Sequence, residues 1–357
     1  MATIAGVGEA FPDHYYPQEE IQAALRAIWK DRDIDTRRIE RIHRHTAVSG
    51  RYLALPLEHY RERTSWGDSN AAWMRIGEEI GVRAIRQALD RAGLEVADVD
   101  TIVFVSVTGL ATPSLDARLM NRLGFSPTVR RIPIFGLGCV AGAASLARCA
   151  DLVQARSRGV ALLVSVELCS LTFQRDDLSG ANIVATGLFG DGAAAVLVVG
   201  RERPARGPAL LDTRSIFYRN TERAMGWDIS EQGFRLVLSP DIPELIRTNL
   251  RRDVDSFLDD HGLRRSDIRY WMSHTGGPKI LSAIQETLDL PQDALDLSWE
   301  QMRAVGNISS ASVLQVLKRT LERAPEQEGG YGLMMALGPG FCSELLLMRW
   351  PERERAC

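Results

Sequence analysis

Three side chains sit where their types could carry acyl-transfer chemistry. Cys139 lies in IFGLGCVAGAAS, between an apolar run and a helical pattern that opens with small residues. A thiol at a helix N-terminus meets unpaired N–H groups and the positive end of the macrodipole, which favour thiolate. Gly136 and Gly138 permit a tight turn ahead of it, and Ala141, Gly142 and Ala143 leave room around it. His274 lies in WMSHTGGPKIL, at the end of a predicted strand and before two glycines. Asn307 lies in AVGNISSASV, at the start of another predicted helix. Taken singly, a packed cysteine, a loop histidine and a helix-capping asparagine are ordinary. Taken together they supply a nucleophile, an imidazole to pair with it and an amide that donates to an oxyanion. Acyl-thioester chemistry needs that set. Cysteine proteases use the same residue types, so these three leave the reaction open. The CGSCW context of papain-type enzymes is absent around Cys139.

The other thiols read differently. Cys149 falls mid-helix, Cys342 in the last predicted strand and Cys357 at the end of the sequence, all consistent with packing. Cys169 follows a strand ending at Glu167 and could line a pocket. The five cysteines show neither CxxC spacing nor a His/Cys cluster with zinc spacing, which argues for a reducing, cytoplasmic setting and against a metal site.

Elements of an α/β fold must position these residues. Helices are expected over 18–29, over 78–92 with Gly93 as its stop, over 116–123, and over 243–261 with Gly262 as its stop. TIVFVSVTG (101–109), IPIF (132–135), GVALLVSVE (159–167) and YWMSHTGG (270–277) read as strands running into turns. Residues 1–70 are the least regular part. The polar stretch at 201–208 is the best internal boundary, which predicts a nucleophile half over 1–200 and a half carrying His274 and Asn307 over 201–357. The halves look alike. GCVAGAASLARCADLV matches GNISSASVLQVLKRTL in pattern, and LFGDGAAAVLVV matches LGPGFCSELLLM. Small residues at a helix start suit burial between sheets, so the pattern predicts a five-layered α/β/α/β/α sandwich of two similar halves.

Composition removes several classes. The 357 residues carry 43 Lys+Arg against 46 Asp+Glu, so no basic excess points to nucleic acid. A 45% hydrophobic content argues against disorder. No apolar run is long enough for membrane insertion, and the start lacks a signal-peptide pattern.

The motifs FGLGCVAGAASL, LFGDGAAA, HTGGPKIL, GNISSASVL and LGPG resemble the type III polyketide synthases, the chalcone and stilbene synthase family on the thiolase fold, of bacterial type. The resemblance runs over residues 5–350. It implies that Cys139, His274 and Asn307 are the catalytic triad. Cys139 would take a starter acyl group from coenzyme A, and His274 would hold its thiolate as an ion pair. His274 and Asn307 would hold the malonyl-CoA carbonyl while CO₂ leaves, and the carbanion would attack the acyl-cysteine. Repeated extension and cyclisation would give a pyrone, resorcinol or phenolic product. Coenzyme A thioesters would be the substrates, with no further cofactor, and the enzyme would be a homodimer.

The same resemblance places Arg38 and Arg41 on coenzyme A-contacting positions, with His45 where the family has Lys and Lys279 as a further candidate. It assigns Val107, Cys169, Thr172, Phe189, Trp227, Leu236, Ser309, Gly338 and Pro339 to the substrate pocket. Val107 and Cys169 stand where chalcone synthases have Thr. Thr172 keeps its Thr, Leu236 replaces a gatekeeper Phe, and Trp227 falls near a size-controlling Gly. ALGPG (336–340) stands for the family's GFGPG, and Thr112 for a Met that crosses the dimer interface. The loss of hydroxyls favours an apolar starter such as an aliphatic acyl-CoA over a coumaroyl one, with malonyl-CoA itself as the other candidate starter. Naphthalene-forming members usually carry Cys at the Val107 position, which disfavours that product. Two alternatives remain: a ketoacyl-ACP synthase III, which would normally show HQAN instead of HTGG, and an acyl-CoA-binding scaffold without turnover.

Overall fold

The structure is a computed structural model that describes residues 1–32, 35–62, 65–323 and 329–352; Cys357 lies outside the described residues. The first half runs β1 (Ala2–Ala10), β2 (His14–Pro17), α1 (Gln18–Ile28), α2 (Thr36–Arg44), β3 (Gly50–Leu53), α3 (Trp66–Ala92), β4 (Thr101–Val105), α4 (Leu115–Leu123), β5 (Arg130–Ile134), α5 (Ala141–Gln154), β6 (Val160–Leu168), α6 (Gly180–Leu188) and β7 (Asp191–Val199). The second runs β8 (Ala209–Phe217), β9 (Met225–Ser230), β10 (Gly233–Leu238), α7 (Ile242–Asp259), β11 (Ile268–Ser273), α8 (Pro278–Thr287), α9 (Asp296–Val305), α10 (Ala311–Arg323), β12 (Tyr331–Gly338) and β13 (Cys342–Arg349).

The two halves repeat one strand plan. In the first, the order is β5-β4-β6-β7-β1, with β4 parallel to β5 and β6, and β7 antiparallel to β6 and β1. In the second, β11-β12-β13-β8 follows the same sense: β11 and β12 are parallel, and β13 is antiparallel to β12 and β8. The sheets touch edge to edge where Ala2 pairs with Leu210 and Thr3 with Ala209.

Three apolar cores separate the layers. Helices α5 and α10 share the middle one, where Leu146 and Leu314 pack with Val196 and Met334. Helix α3 covers the outer face of the first sheet through Ile80 and Ile85, against Leu162 and Leu197. Helices α7 and α8 cover the second through Phe257 and Ile284, against Leu333 and Leu345. The result is the expected five-layered sandwich. Strands β6 and β7 are buried along their whole length, which is why they read as largely apolar runs. At the centre a Cβ on Gly142 would lie 2.1 Å from Ser310 O, so the small residues of α5 admit the α10 backbone.

The first 70 residues are more ordered than expected. Strand β1 is central, and its glycines explain why its pattern is hard to read. A Cβ on Gly6 or Gly8 would lie 2.4 Å or 2.2 Å from Ala88 O or Ala84 O of α3. Close helix approach has displaced the alternation that marks a strand. Helix α3 starts at Trp66, ahead of the expected 78, behind a capping box of Ser65 and Asp68.

Candidate active site

Each of the three reactive residues occupies a turn that leads into a helix. Cys139 lies in a 3-10 turn, Gly138–Val140, between β5 and α5. His274 follows β11, and Asn307 lies between α9 and α10. All three line one cavity, together with Val107, Cys169, Phe189, Trp227, Leu236, Ser309 and Pro339. Pro339 is pressed against the nucleophile turn: a Cβ on Gly138 (φ +54°) would lie 2.7 Å from its ring.

Burial sets the electrostatics. It pushes the Cys139 thiol up to about 11, opposed by hydrogen bonding from Ser309 and Asn307. Desolvation of the charged form opposes the pull of the helix start here. Burial also pulls His274 down to about 4. Burial thus works against the charged form of both groups. The His274 backbone N–H donates to Met335 O at 3.0 Å, which fixes its place. Both ring nitrogens are buried and bond to no described protein group, so the ring is free for substrate.

Asn307 is held on three sides. Its N–H donates to Leu188 O at 2.8 Å, its carbonyl accepts from Gly190 N at 2.9 Å, and its side-chain Oδ1 accepts from Ser309 N at 2.8 Å. The side-chain bond fixes which end of the amide is oxygen. The NH₂ end is the one that hydrogen bonds the Cys139 sulfur. Asn307 does not cap α10, which starts four residues later.

A trio lining one cavity on a doubled five-layered sandwich is decisive when set beside known proteins. Residues 1–202 match the profile of chalcone and stilbene synthases, N-terminal domain, and residues 210–350 that of the C-terminal domain. The chain belongs to the chalcone and stilbene synthase family. It is 45% identical to a 1,3,6,8-tetrahydroxynaphthalene synthase of Streptomyces peucetius subsp. caesius, over 98% of this chain and 93% of that one. It is 37% identical to a putative chalcone synthase of Bacillus subtilis, over 99% and 100%. The crystal structure of 1,3,6,8-tetrahydroxynaphthalene synthase from Streptomyces coelicolor A3(2) matches with a TM-score of 0.93 at 33% identity, covering 98% of this chain and 100% of that one.

In this type III polyketide synthase two expected pocket residues stand elsewhere. Thr172 lines an adjoining chamber and donates to Cys169 O at 2.7 Å. Gly338 does not line the cavity; it packs on Val140, where a Cβ would lie 2.6 Å away. Thr112 is exposed and outside the cavity. The cavity also takes Met225, Gly226, Leu238, Ile242 and Ile280, none of which sequence reasoning singled out. Met225 and Leu238 pair at the base of the β9–β10 hairpin.

Glu167 was missed as well. Its buried carboxylate accepts from Val107 N (3.1 Å), Thr108 Oγ1 (2.8 Å), Ser106 Oγ (3.3 Å) and Ser310 Oγ. Burial pushes it up to about 7. An acid closing the apolar run GVALLVSVE was the available signal.

Arg38, Arg41 and Lys279 are exposed, and none forms an ion pair among the described residues. Helix α2, which carries the two arginines, is tied to the end of α6 by His43 Nε2 on Thr186 Oγ1 (3.2 Å) and Thr46 Oγ1 on Gly187 O (3.1 Å). Leu188 and Phe189, which line the cavity, come next in the chain. Lys279 stands between cavity-lining Gly276 and Ile280. His45 bonds back to Arg41 O at 2.6 Å, which turns its ring onto its own helix end.

No helix among the described residues is long and apolar enough to cross a membrane.

Proposed function

We propose that the enzyme extends an aliphatic acyl starter, delivered as a coenzyme A thioester, by repeated decarboxylative condensation with malonyl-CoA and then cyclises the chain. The observation that carries this is the convergence of Cys139, His274 and Asn307 on one cavity. The Cys139 proton passes to His274, and the sulfur attacks the acyl carbonyl. A thioester bond to the enzyme forms as the bond to coenzyme A breaks, and the leaving thiolate takes the proton back. Malonyl-CoA then places its thioester carbonyl against His274 and the Asn307 amide. Loss of CO₂ leaves an enolate stabilised by those donors. The enolate carbon attacks the acyl-cysteine, releasing the thiolate. The carbanion comes from decarboxylation, so the step asks for no metal and no nucleotide cofactor.

The starter class rests on the walls. Val107, Leu188, Leu236, Leu238 and Ile280 offer no hydroxyl. An adjoining chamber, lined by Ile21, Leu25 and Ile28 of α1, shares Cys169, Phe189, Trp227 and Leu236 with the catalytic cavity. A chain end buried there gains about 0.8 kcal/mol per CH₂. The 45% identity to a tetrahydroxynaphthalene synthase supports a second reading, a malonyl starter and a naphthalene product. Arg38, Arg41 and Lys279 suit the phosphates of coenzyme A. The outer edge of β5, followed by Phe135 at 47% exposure, suits pairing with a second copy in a homodimer.

Incubation with malonyl-CoA alone, then with a panel of acyl-CoA starters, separates the readings by product mass. Products that keep the aliphatic chain are expected. A naphthalene formed from malonyl-CoA alone, unaffected by added starters, overturns the aliphatic reading.

A further inference from the structure

We propose that Ser309 is a catalytic residue of this synthase, its hydroxyl donating to the Cys139 sulfur while its backbone N–H locks the Asn307 amide. The inference rests on the acyl-transfer reading above and adds a group to it. Ser309 Oγ lies 3.7 Å from Cys139 Sγ, within hydrogen-bond reach of sulfur. The His274 ring makes no bond to a described protein group. The Ser309 hydroxyl therefore shares the sulfur with the Asn307 side chain.

The backbone at Ser309 supports a purpose for the side chain. Its φ is +44°, in the left-handed region that a non-glycine residue occupies at a cost. A turn that needed only this conformation would be better served by glycine. The conformation is held by Ser309 N on Asn307 Oδ1 (2.8 Å), Ser312 N on Ser309 O (3.2 Å) and Ile308 N on Ser312 Oγ (2.7 Å). It aims Oγ at the sulfur and leaves the residue 4% exposed. The sulfur needs such a donor. It is buried, and the negative field of Glu167 from β6 opposes its ionisation, as burial does. Cys169, also at the end of β6, shares the cavity as a raised thiol and supplies no charge.

During acylation the Cys139 proton goes to His274, and the thiolate accepts the Ser309 hydroxyl bond. As the acyl–sulfur bond forms and the bond to coenzyme A breaks, the His274 proton leaves with the coenzyme A thiolate. Ser309 keeps its own proton throughout. The bond tightens on the thiolate and relaxes on the thioester, so it favours the ionised nucleophile over the loaded one.

The test is Ser309→Gly in the full-length enzyme, since glycine accepts the left-handed backbone and deletes only the hydroxymethyl group. Carbamidomethylation of Cys139 by iodoacetamide is followed against pH by peptide mass, which separates it from the other thiols. The midpoint should rise by about one pH unit, with about tenfold slower labelling at neutral pH, the size expected for a hydrogen bond to a charged group. Ser309→Ala should shift it the same way. An unchanged midpoint in both variants overturns the proposal. So does an unchanged midpoint with altered product length, which would make Ser309 a wall and nothing more. A shifted midpoint in an enzyme that makes no polyketide from any starter would uphold the hydroxyl–sulfur bond and overturn the synthase reading.

Discussion

The Ser310 hydroxyl donates to the buried carboxylate of Glu167, so the start of α10 in the second half is fastened to the end of β6 in the first. The same carboxylate holds Val107 through its N–H, and Ser310 also bonds Ser165 Oγ at 2.8 Å. One acid thus sets the wall behind the nucleophile. Burial holds it at about 7 against an ordinary 4.5. A raised carboxyl binds its proton more tightly in the folded state, so its stabilisation is full below about 4.5 and is lost as pH rises through 7. Asp191, pushed by burial to about 6, has the same sign, and His274, pulled to about 4, the opposite. Comparison of melting temperatures for wild type and Glu167→Gln at each pH isolates the first. The wild type should lose ground to the variant between pH 4.5 and 7; parallel curves would refute the assignment.

Replacing Cys139 with Ala should leave a folded protein, since the side chain is small and half-buried in a pre-formed turn. Product formation from malonyl-CoA should fall to below about a thousandth, as when a nucleophile is deleted elsewhere. Full turnover would exclude a covalent acyl-enzyme.

Gly142 should tolerate no side chain. A Cβ there meets Ser310 O at 2.1 Å, at the buried contact of α5 with the start of α10. Gly142→Ala should lower stability by about 1–3 kcal/mol or more, read as a lower urea midpoint. It should also cost activity, because the displaced α10 carries the Asn307 turn.

Trp227 belongs to the walls of both the catalytic cavity and the α1 chamber, its ring tilted against Phe234 with centroids 5.9 Å apart. Trp227→Ala should join the two spaces and move products towards longer starters or more extensions. An unchanged mass spectrum of products would show that the partition does not limit the chain.

Arg41→Ala should raise KM for malonyl-CoA about tenfold with kcat nearly kept, since an exposed charge facing phosphate adds binding without touching the reacting atoms. Added salt should narrow the gap between the two enzymes. Equal KM at low salt would remove Arg41 from the coenzyme A site.

Much of this architecture was legible because burial writes itself into composition. Strands β6 and β7 are covered on both faces, and apart from Ser165, Glu167 and Asp191 their side chains are apolar. The candidate trio stood out because Cys139 and Asn307 each follow a glycine, while His274 follows a strand end just ahead of two glycines. Strand β1 was not, because contact with α3 demands Gly6 and Gly8 where a strand pattern would show side chains. The β9–β10 hairpin escaped because its cavity-facing Met225, Trp227 and Leu236 are separated by exposed polar residues such as Asp228 and Arg235. The drying of the nucleophile turn was not legible, because sequence shows a helix start but not how thoroughly the turn before it is desolvated.

Cys139 and Asn307 occupy equivalent corners of the two repeats, each in the turn that enters the central helix of its half. A symmetric pair of identical halves would place the same side chain at both corners. Because the two halves of this chain differ in sequence, one corner presents a thiol and the other an amide, two chemistries at one site that identical copies could not supply.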